Sequence, residues 1–118
     1  MAPLDQPPIE LTVEEVAQLL AGGAQPLVVD LREAEELTTG TIPGSLHIEL
    51  EELAHRSAEL PTDRLLICYC HSGVRSLFAA QALRAAGYKA SSLAGGVLAW
   101  KERGLELDHP LADTDRRS

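Results

Sequence analysis

The sequence predicts an α/β fold in three layers (α/β/α), with a central, mostly parallel sheet of about five strands. Short apolar runs alternate with stretches of helical periodicity along the chain, and glycine or proline marks the junctions between them. Leu27-Val28-Val29 is apolar at successive positions, as in a strand covered on both faces.

Residues 1–8 contain three prolines and read as a flexible arm. Ile9-Glu10-Leu11 is a short strand candidate. Thr12 and Glu15 then have the spacing of a capping box, with Leu11 and Val16 placed to form a hydrophobic staple. Val13, Val16, Leu19 and Leu20 form the apolar stripe of a first helix that Gly22-Gly23 stops. Leu27-Val28-Val29 is the next strand, ending at Asp30-Leu31-Arg32, and the acidic segment Glu33–Leu37 is a short helix at most. Thr38 to Ser45 is loop by its glycines and proline, and Leu46-His47-Ile48 is a third strand. Leu50, Leu53 and Ala54 give an amphipathic turn that ends before Pro61. Leu65–Tyr69 is the most apolar strand candidate. Val74–Ala86 is apolar nearly all round, the pattern of a buried helix, and Gly87 suits its C-cap. Tyr88–Leu93 is the last strand and Val97–Arg103 the last helix, in which Trp100 falls at core spacing. The domain is expected over residues 9–107, with 108–118 a polar C-terminal tail.

The totals narrow the function. A chain of 118 residues makes one domain. Aromatic residues are only 3%, so the core must be aliphatic and alanine-rich. The net charge of −8 argues against nucleic acid, which needs clustered Lys and Arg, and requires any anion site to be made locally. No apolar run approaches the roughly 20 residues of a membrane span, and the start MAPLDQPP lacks a signal-peptide pattern. The two cysteines, Cys68 and Cys70, lie too close on one extended segment for an easy disulfide, so a reducing, cytoplasmic setting is expected. The four histidines show no metal-ligand spacing, and no metal is expected.

The chemistry concentrates where the strand Leu65–Tyr69 meets the loop Cys70-His71-Ser72-Gly73-Val74-Arg75-Ser76. In parallel sheets ligands bind beyond the C-terminal ends of strands, and Cys70 and Asp30 both stand there. A thiol is a weak nucleophile until ionised. The loop before a helix offers unpaired N–H groups, Gly73 permits the positive φ that turns them inward, and Arg75 adds a fixed positive charge. A cysteine alone reads as a small buried hydrophobe, which is the reading kept for Cys68. The attached loop makes Cys70 the candidate nucleophile. His71 reads equally as a solvated loop residue or a substrate contact, and Asp30 as a turn cap or a support for the site.

These residues resemble the single-domain members of the rhodanese sulfurtransferase family. The resemblance covers roughly residues 9–107, through Val29-Asp30-Leu31-Arg32-Glu33, Gly40-Thr41-Ile42-Pro43-Gly44-Ser45, the Cys70–Ser76 loop, and Leu93-Ala94-Gly95-Gly96-Val97 through Trp100 to Gly104. Thr41 departs from the histidine frequent in the family. The resemblance implies that Cys70 takes the outer sulfur from thiosulfate or a persulfide donor, holds it as a persulfide, and yields it to cyanide or a thiol. It implies a small-molecule donor and acceptor or a sulfur-relay protein as partners, and no cofactor. His71, Ser72, Gly73, Val74, Arg75 and Ser76 would form the anion-binding loop, with Asp30 and Arg32 supporting it. Phosphatases and arsenate reductases of the same fold enclose one more residue between cysteine and arginine. Only His71–Val74 lie between Cys70 and Arg75, a cup better sized for one sulfur than for a tetrahedral phosphate. A sulfur carrier or a binding module of the same fold is the other reading; modules of that kind often lose the cysteine, which is present here.

Overall fold

The computed structural model describes residues 6–109; the expectations for the first five residues and for 110–118 lie outside the described residues. Five parallel strands form one sheet: β1 (Glu10–Leu11), β2 (Leu27–Asp30), β3 (Leu46–His47), β4 (Leu66–Tyr69) and β5 (Ala90–Leu93). Their order is β1-β5-β4-β2-β3, so β4, which leads into the Cys70 loop, is central. Its register is fixed on both sides, with Cys68 opposite Val29 of β2 and opposite Ser92 of β5.

The helices are α1 (Val13–Ala21), α2 (Leu53–Arg56), α3 (Val74–Ala85) and α4 (Gly96–Glu102). Two apolar clusters show how they cover the sheet. Val29, Leu66, Cys68 and Ala90 pack with Leu53 of α2 and with Ala79, Ala80 and Leu83 of α3. Val28, Ile67, Tyr69 and Leu93 pack with Val13 and Val16 of α1 and with Val97 and Trp100 of α4. Alternate residues of each strand therefore go to opposite faces, and both faces are apolar because both are covered. This is the three-layer α/β/α arrangement expected.

Local signals set the element ends. Thr12 Oγ1 accepts from the Glu15 N–H at 3.1 Å, and Glu15 Oε1 accepts from the Thr12 N–H at 2.9 Å. This reciprocal cap is worth about 1 kcal/mol and starts α1 where the β1 chain ends. Glu33 is the N-cap of a 3-10 turn, Ala34–Thr39, that takes in Ala34 to Leu37, and Leu50–Glu59 is a run of short turns around α2.

The expectation of a fully buried α3 is corrected. Its buried residues are Ser76, Ala79, Ala80 and Leu83, while Val74 is 62% and Phe78 67% exposed. A helix lying on one face of a sheet buries one stripe, and alanine on the other side hides the amphipathic contrast from the sequence. Two contacts lie at the limits of the described residues. The Pro8 carbonyl accepts from the Ser91 hydroxyl at 2.7 Å, and Thr41 pairs with Asp108 in an antiparallel bridge.

Candidate active site

Cys70 follows β4 directly and is 1% exposed. Gly73, the N-cap of α3, has φ of 100°, a conformation that glycine adopts without strain. A Cβ there would meet Gly95 N at 3.1 Å and Leu93 O at 3.3 Å, so only glycine fits the turn without displacing its neighbours. That turn brings N–H groups onto the sulfur. Cys70 Sγ accepts from the Gly73 N–H at 3.2 Å and from the Ser76 N–H at 3.4 Å, and Ser76 Oγ lies 3.5 Å away. The Ser76 N–H is one of the donors in the first turn of α3 that have no partner within the helix.

Burial alone would push the Cys70 thiol up. The Ser76 hydroxyl and N–H, then the Gly73 and Ser72 N–H groups, outweigh it and hold the thiol below the ordinary cysteine value. Two residues earlier, Cys68 has no such donors; burial, and then the charge on Cys70, push it up to about 12. The arrangement can hold a thiolate, or a terminal anionic sulfur, at Cys70 and not at Cys68.

The remaining loop residues divide. Ser72 offers its N–H and leaves its side chain exposed; Val74 belongs to the first turn of α3 and its side chain faces outward. His71 is exposed and lines a cleft of about 310 Å³ together with Arg32, Glu36, Thr39 and Lys101. Arg75 makes a two-pronged ion pair, its Nη1 and Nη2 each 3.0 Å from a Glu36 oxygen. Its charge is therefore shared first with Glu36, with the Cys70 sulfur a smaller influence. Arg75 in turn draws the Glu36 carboxyl down to about 2.

Asp30 and Arg32 do not touch the sulfur. They form a buried pair, each 1% exposed, with Arg32 Nη2 2.8 Å from Asp30 Oδ2 and Arg32 Nε 3.0 Å from Oδ1. The same guanidinium donates to the carbonyls of Gly40 at 2.8 Å and Glu36 at 3.3 Å, and to Thr39 Oγ1 at 3.2 Å. Arg32 thus pins the Ala34–Thr39 turn to the end of β2, and that turn presents Glu36 to Arg75.

The opposite wall is the Gly95-Gly96 turn. The Val97 N–H donates to the Cys70 carbonyl at 2.9 Å and the Leu98 N–H to the His71 carbonyl at 3.1 Å. A Cβ on Gly96, at φ of 62°, would fall on those same two carbonyls.

Sequence reading missed Glu36, Lys101 and Ser92. Glu36 was legible in principle, since an arginine beside a buried thiol in a chain of net charge −8 calls for a counter-ion. Ser92, like Ser91 beside it, is a polar residue inside a strand buried at all four positions. Lys101 offered no pattern. No cluster of His, Cys, Asp and Glu among the described residues is arranged to hold a metal ion, and no helix among them is long and apolar enough to cross a membrane.

A family model described as a rhodanese-like domain matches residues 12–103. A sulfurtransferase of Allochromatium vinosum is 36% identical over 102 residues, covering 86% of this chain and 95% of that one. The human thiosulfate:glutathione sulfurtransferase is 37% identical over 108 residues, covering 79% and 93%. The crystal structure of a rhodanese-related protein from Thermoplasma volcanium superposes with a TM-score of 0.79 at 27% identity, over 84% of this chain and 96% of that one.

Proposed function

The chain belongs to the rhodanese-like domain family, and from that premise we infer that it is a sulfurtransferase that works through a persulfide on Cys70. The observation that carries this reading is the Cys70 sulfur ringed by N–H donors of Gly73 and Ser76 inside a loop with only His71–Val74 between Cys70 and Arg75. The Cys70 thiolate attacks the outer sulfur of thiosulfate. A new S–S bond forms, the old one breaks, and its electron pair leaves with sulfite. An acceptor then attacks the outer sulfur of the persulfide, and the S–S bond pair returns to Cys70 as thiolate. Cyanide becomes thiocyanate; a thiol becomes its persulfide. The scheme is a double displacement with a covalent intermediate. The N–H ring is already in place for the charge that appears at each step, and no cofactor is required.

A persulfide donor, small or protein-borne, suits the same site. The exposed Val74 and Phe78 beside the loop favour a protein donor or acceptor as the second reading, a sulfur relay. The two free thiols fit a reducing compartment, and we place the protein in the cytoplasm.

The test is thiosulfate:cyanide turnover. Cys70→Ser is expected to abolish it, and the wild type is expected to leave a small aryl phosphate intact. Phosphate hydrolysis without thiocyanate formation would replace this reading with the phosphatase one.

A further inference from the structure

Behind Cys70 lies a chain of two buried hydroxyls. Ser76 Oγ is 3.5 Å from Cys70 Sγ and 2.7 Å from Ser92 Oγ. Both serines are fully buried, and no other hydrogen bond reaches the Ser92 hydroxyl among the described residues. Ser92 sits on β5 opposite Cys68, so its side chain lies on the α3 face of the sheet, where Ser76 closes over it. The loop N–H groups can hold a sulfur without it, and the proposed reaction does not use it.

Counting hydrogens shows what this chain can do. Between sulfur, Ser76 oxygen and Ser92 oxygen there are two gaps. With a neutral thiol three hydrogens compete for those gaps, and one is left without an acceptor in a buried site. With a thiolate two hydrogens fill two gaps: Ser92 donates to Ser76, and Ser76 donates to the sulfur. A buried donor without an acceptor is costly, so the chain favours the ionised sulfur.

We propose that Ser92 is a positioning residue for the nucleophile: by donating to Ser76 it turns the Ser76 hydroxyl toward Cys70 and keeps the sulfur a hydrogen-bond acceptor. The proposal rests on the reading of Cys70 as the sulfur-bearing group. It also bears on both half-reactions, because Cys70 is attacking group in the first and leaving group in the second.

Charged and titratable groups around the sulfur do not depend on Ser92. Arg75 on α3 is paired with Glu36 of the Ala34–Thr39 turn, which Arg32 and Asp30 hold; His71 is in the loop and Lys101 on α4 lines the cleft. Cys68 on β4 stays protonated, and β5 carries no charged residue from Ala90 to Leu93. A change at Ser92 therefore reports on the hydroxyl chain.

The experiment follows the rate of Cys70 alkylation against pH, read on the Cys70 peptide by mass spectrometry, in wild type, Ser92→Ala, Ser76→Ala and the double variant. Ser92→Ala is expected to move the midpoint up by about one pH unit, a tenfold loss of thiolate below it. It is expected to add nothing in the Ser76→Ala background, because it acts through Ser76. Ser92→Thr, which keeps the hydroxyl, is expected to restore the wild-type midpoint. An unchanged midpoint in Ser92→Ala, or an equal shift with Ser76 already removed, overturns the proposal. Should Ser92→Ala fail to fold, Ser92→Cys keeps the shape with a far weaker donor and must show the same upward shift; no shift overturns the proposal. A wild-type midpoint that rises in Ser92→Ala, in a protein that forms no persulfide from any donor, would sink the sulfur-transfer reading and leave the hydroxyl chain standing.

Discussion

Cys68 and Cys70 lie two residues apart, and they differ because of where the strand ends. Cys68 is inside β4, with its backbone spent in the sheet and its sulfur among Val29, Leu66 and Ala80. Cys70 is past the last strand residue, where the loop can turn donors onto it. Cys68→Ala is accordingly expected to keep Cys70 alkylation and sulfur transfer while lowering stability by on the order of 1 kcal/mol, read from a denaturant midpoint. Loss of transfer in a folded Cys68→Ala protein would move the nucleophile. Cys70 and its loop were legible in the sequence because a strand run, a cysteine and a glycine before a helix carry their own geometry. The Arg75–Glu36 pair was not, since side chains 39 positions apart meet only through the fold. Glu36 is depressed, so its contribution to stability is fully present above the ordinary carboxylate value of about 4.3 and is lost as pH falls toward about 2. The pair is therefore intact across neutral pH. Glu36→Gln removes the counter-charge, leaves Arg75 to act on the thiol, and is expected to lower the Cys70 alkylation midpoint. A raised midpoint would mean that Glu36 holds Arg75 toward the sulfur and does not compete for it.

Elements act here through their ends. The start of α3 supplies the Ser76 N–H, and the start of α4 takes up the Cys70 and His71 carbonyls. Gly96→Ala, whose new Cβ would collide with those carbonyls, is expected to displace the loop: Cys70 loses its fast alkylation even where thermal unfolding shows a folded protein. Normal alkylation in that variant would show that the α4 turn does not set the loop. The buried Asp30–Arg32 pair ties the Ala34–Thr39 turn to β2, and Arg32→Ala leaves Asp30 buried without its partner. A loss of about 3–5 kcal/mol is expected by chemical denaturation, and a loss under 1 kcal/mol would mean that water replaces the guanidinium. Strand and helix order was readable because caps and glycines are local: Thr12 with Glu15 starts α1, and Gly22 ends it. The exposed side of α3 was unreadable because Val74 and Phe78 look like core residues in a helix of alanines. Only the sheet beneath decides which side is covered.

At the scale of the molecule, a five-stranded parallel sheet sends its strand ends to one edge, and the central strand carries the cysteine there. Both faces are covered by helices, so the edge is where a ligand can reach the backbone N–H groups. The net charge of −8 makes no general anion site, and the groups around the Cys70 sulfur are local: the Gly73 and Ser76 N–H groups and the Ser76 hydroxyl. The family model over residues 12–103 and the rhodanese-related structure place the whole architecture in one family.

The claim that a persulfide on Cys70 carries the sulfur is tested most directly by mass. Protein treated with thiosulfate, desalted without reductant and measured intact is expected to be heavier by one sulfur atom, with the addition on the Cys70 peptide and lost on adding cyanide. An unchanged mass with thiosulfate and with persulfide donors alike, or an addition on Cys68, would contradict it.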